Sequence, residues 1–164
     1  MYSSKNLAII GVLLIAVLYQ YLGNSEQNGT NGNNQTTATH TDSRQRSTPT
    51  PAALATSVEQ IRKAADDPQA RFWTTVSGTV IRNLKDDTEG SRHQKFLVEI
   101  APGLTLLVAH NIDLAPRAPV KPGDRVLLHG EYAWNNRGGV MHWTHHDPGG
   151  RQGGWIETGG KRYE

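Results

Sequence analysis

The hydrophobic and polar positions of this chain divide it into three regimes. Residues 7–22, LAIIGVLLIAVLYQYL, are apolar around the whole circumference of a helix, and a polar tract follows at once. The apolar run falls short of the roughly 20 residues that span a bilayer, but Tyr19 and Tyr21 can extend it at headgroup level. Lys5 and the amino terminus give a positive leading end, and no small-x-small cleavage motif follows the run. This predicts a transmembrane signal anchor or signal peptide over residues 1–23, with the anchor favoured. Residues 24–52 hold almost no large apolar side chain and cannot repay the entropy of ordering. They read as a disordered polar linker, and the folded unit is expected over residues 53–164.

Within that unit the periodicity starts helical and turns to strand. Ser57 and Gln60 form a capping box ahead of Val58, Ile61 and Ala65, which predicts a short helix ending near Asp66, before Pro68. Arg71–Leu84 reads as a long first strand, with Val76, Gly78 and Val80 on one face and Gly78 marking a bend. Lys95–Ala101 alternates, pointing Phe96, Val98 and Ile100 one way, and Pro102-Gly103 turns the chain into Leu104–His110. Residues 112–122 hold three prolines and leave room for at most one helical turn. A fourth strand, Arg125–Trp134, and a fifth beginning at Gly139 form a hairpin through residues 135–138. Gly159-Gly160 then turns a last small hairpin between Trp155-Ile156 and Tyr163.

This pattern predicts an all-β fold: a small five-stranded OB-like barrel with a short N-terminal helix and a C-terminal hairpin flap. An SH3-like barrel or β-roll is the alternative.

Composition narrows the chemistry. The chain has 17 basic and 15 acidic residues, a formal charge of +2, and no cysteine. Disulfides, thiolate nucleophiles and Cys-type zinc sites are excluded. Acids and bases are almost even across residues 52–164, so there is no strong nucleic-acid signal.

Three of the seven histidines lie in HWTHHDP, residues 142–148. Indexing the last hairpin sets Glu131 opposite His142, Tyr132 opposite Met141, Gly130 opposite Trp143 and His129 opposite Thr144. Trp143 and His145 then face the core, while His142 and His146 face outward. A Glu131–His142 pair is expected to raise the imidazole pKa. The catalytic candidates are His145, His146 and Asp147, and the binding candidates are Glu131, His142, Trp143, Trp155 and Arg151. No cofactor is expected. Zinc or another divalent metal is the alternative, held by His129, Glu131 and His142, although neighbours on a flat ladder project in parallel rather than converging. A flap folded over Thr144–Pro148 would frame a cleft lined by His145, His146, Asp147 and Trp155.

The segments GDRVLLHGEY (123–132), GVMHWTHHDPGG (139–150) and GGWIETGGKRY (153–163) resemble an uncharacterised family of bacterial envelope proteins, the domain of unknown function 3465 family. The resemblance covers Arg71 to Tyr163 and is most specific in HWTHHDP and GGWI. It implies an N-terminal signal or anchor and no assigned activity. It also implies a histidine where this chain has Gln152, so a ligand role there is missing.

Two functional readings follow. One is a single-pass inner-membrane protein, held through residues 7–22, whose domain sits in the periplasm and binds a glycan, peptide or protein ligand. If the N-terminal segment is cleaved, the same domain is released to the periplasm. The other is an envelope hydrolase, such as a metal-dependent phosphodiesterase or nuclease, using the His142–Asp147 cluster.

Overall fold

The computed structural model describes residues 48–164, so the apolar run at 7–22, most of the tract at 24–52 and His40 lie outside the described residues. Among the described residues no helix is long and apolar enough to cross a membrane.

The chain enters through helix α1, Pro51–Ala64. Thr50 caps it by accepting from the Ala53 amide at 3.2 Å, and Pro51 occupies the first helical position, where its missing N–H costs nothing. The helix therefore starts well before the Ser57 box expected from sequence. Ser57 instead bonds back to the Ala53 carbonyl at 3.2 Å. Ile61 and Ala64 are the buried residues of the helix, and both belong to the core cluster of the barrel.

Seven strands follow: β1 (Arg71–Asn83), β2 (His93–Ala101), β3 (Leu104–Asn111), β4 (Arg125–Ala133), β5 (Val140–His142), β6 (Trp155–Thr158) and β7 (Lys161–Tyr163). The sheet order is β1-β2-β3-β5-β4-β6-β7, and β1 also pairs with β4. The first five strands thus close into a barrel, with β3 and β5 parallel and the other pairs antiparallel. This is the small all-β barrel expected from the sequence. β1 serves two neighbours, pairing with β4 from Arg71 to Thr79 and with β2 from Thr79 to Asn83. Gly78 sits at the changeover, where an added Cβ would overlap the Val98 side chain. Val76, Val80, Phe96, Val98, Leu106, Val108, Leu128 and Met141 fill the interior at 1% exposure or less. Their strand parity is what the alternation in the sequence demands.

Residues 112–124 form no helix. They are stapled over one end of the barrel by side chains from the strands. Gln94 exchanges two bonds with the Ala118 backbone, at 2.7 and 3.0 Å, and Asn83 donates to the Val120 carbonyl at 2.8 Å. Ala115, Ala118 and Val120 are buried beneath this cover. The C-terminal hairpin β6–β7 forms as expected around Gly159-Gly160, both at positive φ. It extends the sheet from the outer edge of β4.

Candidate functional site

The register expected for the last hairpin holds as far as His142: Glu131 pairs with His142 and Tyr132 with Met141. There the strand stops. Trp143 takes φ = 50°, the one non-glycine residue at positive φ among the described residues. For so bulky a side chain this is a strained conformation. One residue in the left-handed region ends the alternation, and the two residues after it, Thr144 and His145, are both buried, while His146 stays outward as expected. Thr144 turns inward and is fully buried, while Trp143 becomes half-buried. The expected pairs Gly130–Trp143 and His129–Thr144 are not formed, and β6 takes the place beside β4, with Trp155 opposite His129. Gly154 makes this fit possible, since an added Cβ would overlap the carbonyl oxygens of His129 and Trp143.

The segment beyond this break builds a rim at the barrel end from residues 143–154. Its inner anchor is His110, fully buried on β3. The His110 Nε2–H donates to the Pro116 carbonyl at 3.1 Å, so Nδ1 is the acceptor, and the Thr144 hydroxyl donates to it at 3.0 Å. Burial holds this imidazole below its ordinary pKa. The sequence reading did not single out His110, although it continues the inward phase of Leu106 and Val108. A histidine on a core face was the available signal.

His145 is 4% exposed. Its Nδ1–H donates to the His146 carbonyl at 2.7 Å, and its own carbonyl accepts from the Gly154 amide at 2.8 Å. Nε2 therefore carries the lone pair. Among the described residues no group bonds to Nε2. The fully buried side-chain polar atom left without a partner among them is Tyr132 Oη, so Nε2 keeps a narrow opening to solvent. The Trp143 ring lies 5.4 Å from the His145 ring, and the Arg151 guanidinium stands 5.9 Å from the Trp143 centroid. Burial also lowers the pKa of His145.

Asp147 is committed to the turn that follows. It accepts from the Gly149 amide at 2.9 Å and from Arg151 Nε at 2.6 Å, and Arg151 holds its pKa below the usual carboxylate range. His146 is exposed. The structure thus joins His145, Trp143, Arg151 and Asp147 in one rim. His146 contributes its carbonyl to that rim.

The other candidates lie on the outer face of the sheet. Trp73, His129, Trp155 and Arg162 stand side by side on β1, β4, β6 and β7. Ring centroids are 5.6 and 5.8 Å apart across His129, and Arg162 lies 3.8 Å over Trp155. Thr75 Oγ1 is 2.8 Å from His129 Nδ1, and Arg162 is paired with Glu157 at 2.9 Å. The faces of these groups are largely spent on one another, and the row fastens the flap to the barrel. Trp155 accordingly lies against His129 and does not roof a cleft over His145–Asp147.

Glu131 is taken by Arg71 at 2.8 Å. The expected rise in the His142 pKa is reversed: burial outweighs the Glu131 carboxylate and pushes the imidazole down to about 4. Among the described residues no three His, Asp or Glu side chains converge into a group that could hold a metal, and His129, Glu131 and His142 are no exception.

Fold and rim together define a small all-β barrel protein with a histidine- and tryptophan-bearing rim. The chain belongs to the DUF3465 family of proteins of unknown function, whose model matches residues 39–164. No curated protein matches the chain.

Proposed function

We propose that this chain is a binding module, tethered to the inner membrane through residues 7–22 and displayed in the periplasm, whose ligand docks on the rim at His145 and Trp143. The observation that carries the reading is His145. Its Nδ1–H is fixed on a backbone carbonyl, so Nε2 is left as an acceptor with no hydrogen-bond partner among the described residues, on a ring that is 4% exposed. Beside it a strained tryptophan offers a half-buried ring. Strain of this kind costs about 1–3 kcal/mol and is concentrated at ligand-contacting positions. A ligand that donates a hydroxyl proton to Nε2 and lays a C–H face on the indole satisfies both groups, which is the chemistry of an envelope glycan.

Binding is favoured over hydrolysis by the partners already in place. Asp147 is bonded to Arg151 and Gly149, and the Thr144 hydroxyl is bonded to His110. Neither is free to activate water or to attack.

The test is cosedimentation of the full chain, in detergent, with purified envelope polysaccharide and with envelope peptides. Glycan binding that is lost in Trp143→Gly and His145→Gln, with the thermal melt retained, supports the proposal. Binding indifferent to both changes overturns it, as does preference for the peptides. Cleavage of the polysaccharide that disappears in His145→Gln would establish the hydrolase instead.

A further inference from the structure

At the open end of the flap, a groove of about 480 Å³ runs between the β6–β7 turn and the residues that lead into β4. It is lined by Arg125, Lys161, Tyr163, Thr158, Gly159, Pro119 and Asp124. Its two cations are distinctive. None of the ion pairs among the described residues involves Arg125 or Lys161. Arg125 spends one N–H on the Ser77 hydroxyl at 3.2 Å, and among the described residues its other donors have no hydrogen-bond acceptor. Lys161 stands 5.2 Å from the Tyr163 ring centroid, a cation–π contact that positions the ammonium without neutralising it.

One carboxylate, Asp124, is in the lining; it accepts from the Lys121 amide at 2.9 Å, which fixes it in place and leaves it charged, while Glu157 pairs with Arg162. Glu164 follows Tyr163 and is not part of the lining. The walls are fixed as well. Thr158 Oγ1 donates to the Arg125 carbonyl at 3.3 Å, which ties the turn to β4. Gly159 adds no side chain, and a Cβ there would meet nothing within 4 Å.

We infer that this groove is a binding site for a phosphate ester, with Arg125 as the planar fork and Lys161 as the point charge. Two cations against the single Asp124 carboxylate leave the groove net positive, which favours a phosphate monoester, carrying about −1.5 to −2 at neutral pH. An Arg fork beside a Lys point charge is a pairing suited to phosphate oxygens. The volume leaves room for the small group that carries the phosphate, and the Tyr163 ring gives that group a flat wall. The phosphate chemistry is common to a soluble ester and a phospholipid headgroup. The two sources are told apart by the arms of the test below. It is independent of the glycan proposed for the rim.

In the test, the full chain in detergent is titrated with glycerol phosphate, and the amide resonances of Gly159 and Gly160 are followed. Saturable shifts are expected in the native chain. Affinity should fall by at least about tenfold in the Arg125→Gln/Lys161→Gln double variant. Arg125→Lys, which keeps the charge and loses the fork, should bind more weakly than the native chain and more tightly than the double variant. Melting curves of each variant separate lost binding from lost fold. Absence of saturable shifts overturns the inference, as does equal binding by the double variant or equal shifts from sulfate at matched ionic strength. Binding to vesicles that contain phosphatidate, without any response to glycerol phosphate, overturns the soluble ligand in favour of the bilayer surface.

Discussion

The Thr144 hydroxyl lies 3.0 Å from His110 Nδ1, and neither residue is exposed to solvent. The rim is therefore joined to the barrel through one neutral imidazole whose two nitrogens are both used. Replacing Thr144 with Val keeps the shape and leaves a buried nitrogen without its donor. An orphaned polar atom of this kind costs about 1–3 kcal/mol. Urea unfolding of Thr144→Val should show a loss of that size. A loss no larger than a surface substitution gives would mean that the bond does not hold the rim.

Trp143 supplies a test of strain. Glycine adopts φ = 50° freely, whereas alanine does not. Trp143→Gly should therefore be more stable than Trp143→Ala by about 1 kcal/mol, the reverse of their order in an ordinary strand. Thermal melts of the two variants decide it, and an Ala variant equal to or above Gly would remove the strain argument.

Acid should weaken the fold. His142 is pushed down to about 4 by burial, and His110 and His145 are lowered for the same reason. A histidine depressed in the folded state takes up its proton more readily when unfolded. Its contribution is complete above its unfolded pKa of about 6.5 and declines as pH falls toward the folded value. Between about 6.5 and 4, His142 alone should contribute a slope of up to about 1.4 kcal/mol per pH unit, steepest in the middle of that window. His142→Gln should flatten the curve there. An unchanged profile would place the acid sensitivity elsewhere.

Gly154 is the tightest joint of the rim. A Cβ there would overlap two backbone carbonyl oxygens, which cannot swing aside as a flexible side chain can. Gly154→Ala should separate β6 from β4, with faster hydrogen exchange at Trp155 and Ile156. Gly150→Ala is the control: its Cβ would meet open space, so only the positive-φ penalty of about 1 kcal/mol remains.

Much of this architecture was legible in the sequence because it depends on alternation. The inward series Phe96, Val98 and Ile100 and the Glu131–His142 register follow from a two-residue period, which survives wherever a strand continues. The rim was not legible, for a local reason. Tryptophan carries no signal for the left-handed region, so a pattern of alternating residues could not show that the alternation ends at Trp143. The partners of His110, Thr144 and Pro116, meet it only through that break and through the cover formed by residues 112–124. The start of α1 was missed because Thr50-Pro51 closes a polar tract. Its helix-starting value lies in the cap and in the first-turn proline, not in apolar periodicity.

The double duty of β1 also governs how quickly the molecule can form. Its first nine residues find their partners on β4, beyond two intervening strands and a proline-rich crossing, so the barrel cannot close from neighbouring turns alone. Assembly waits on a distant encounter whose loop entropy is spent before any reward arrives, which places folding in the slow, milliseconds-to-seconds regime of non-local β topologies. During that interval the apolar inner faces of β2 and β3, which carry Phe96, Val98, Leu106 and Val108, stand open to water until β4 arrives.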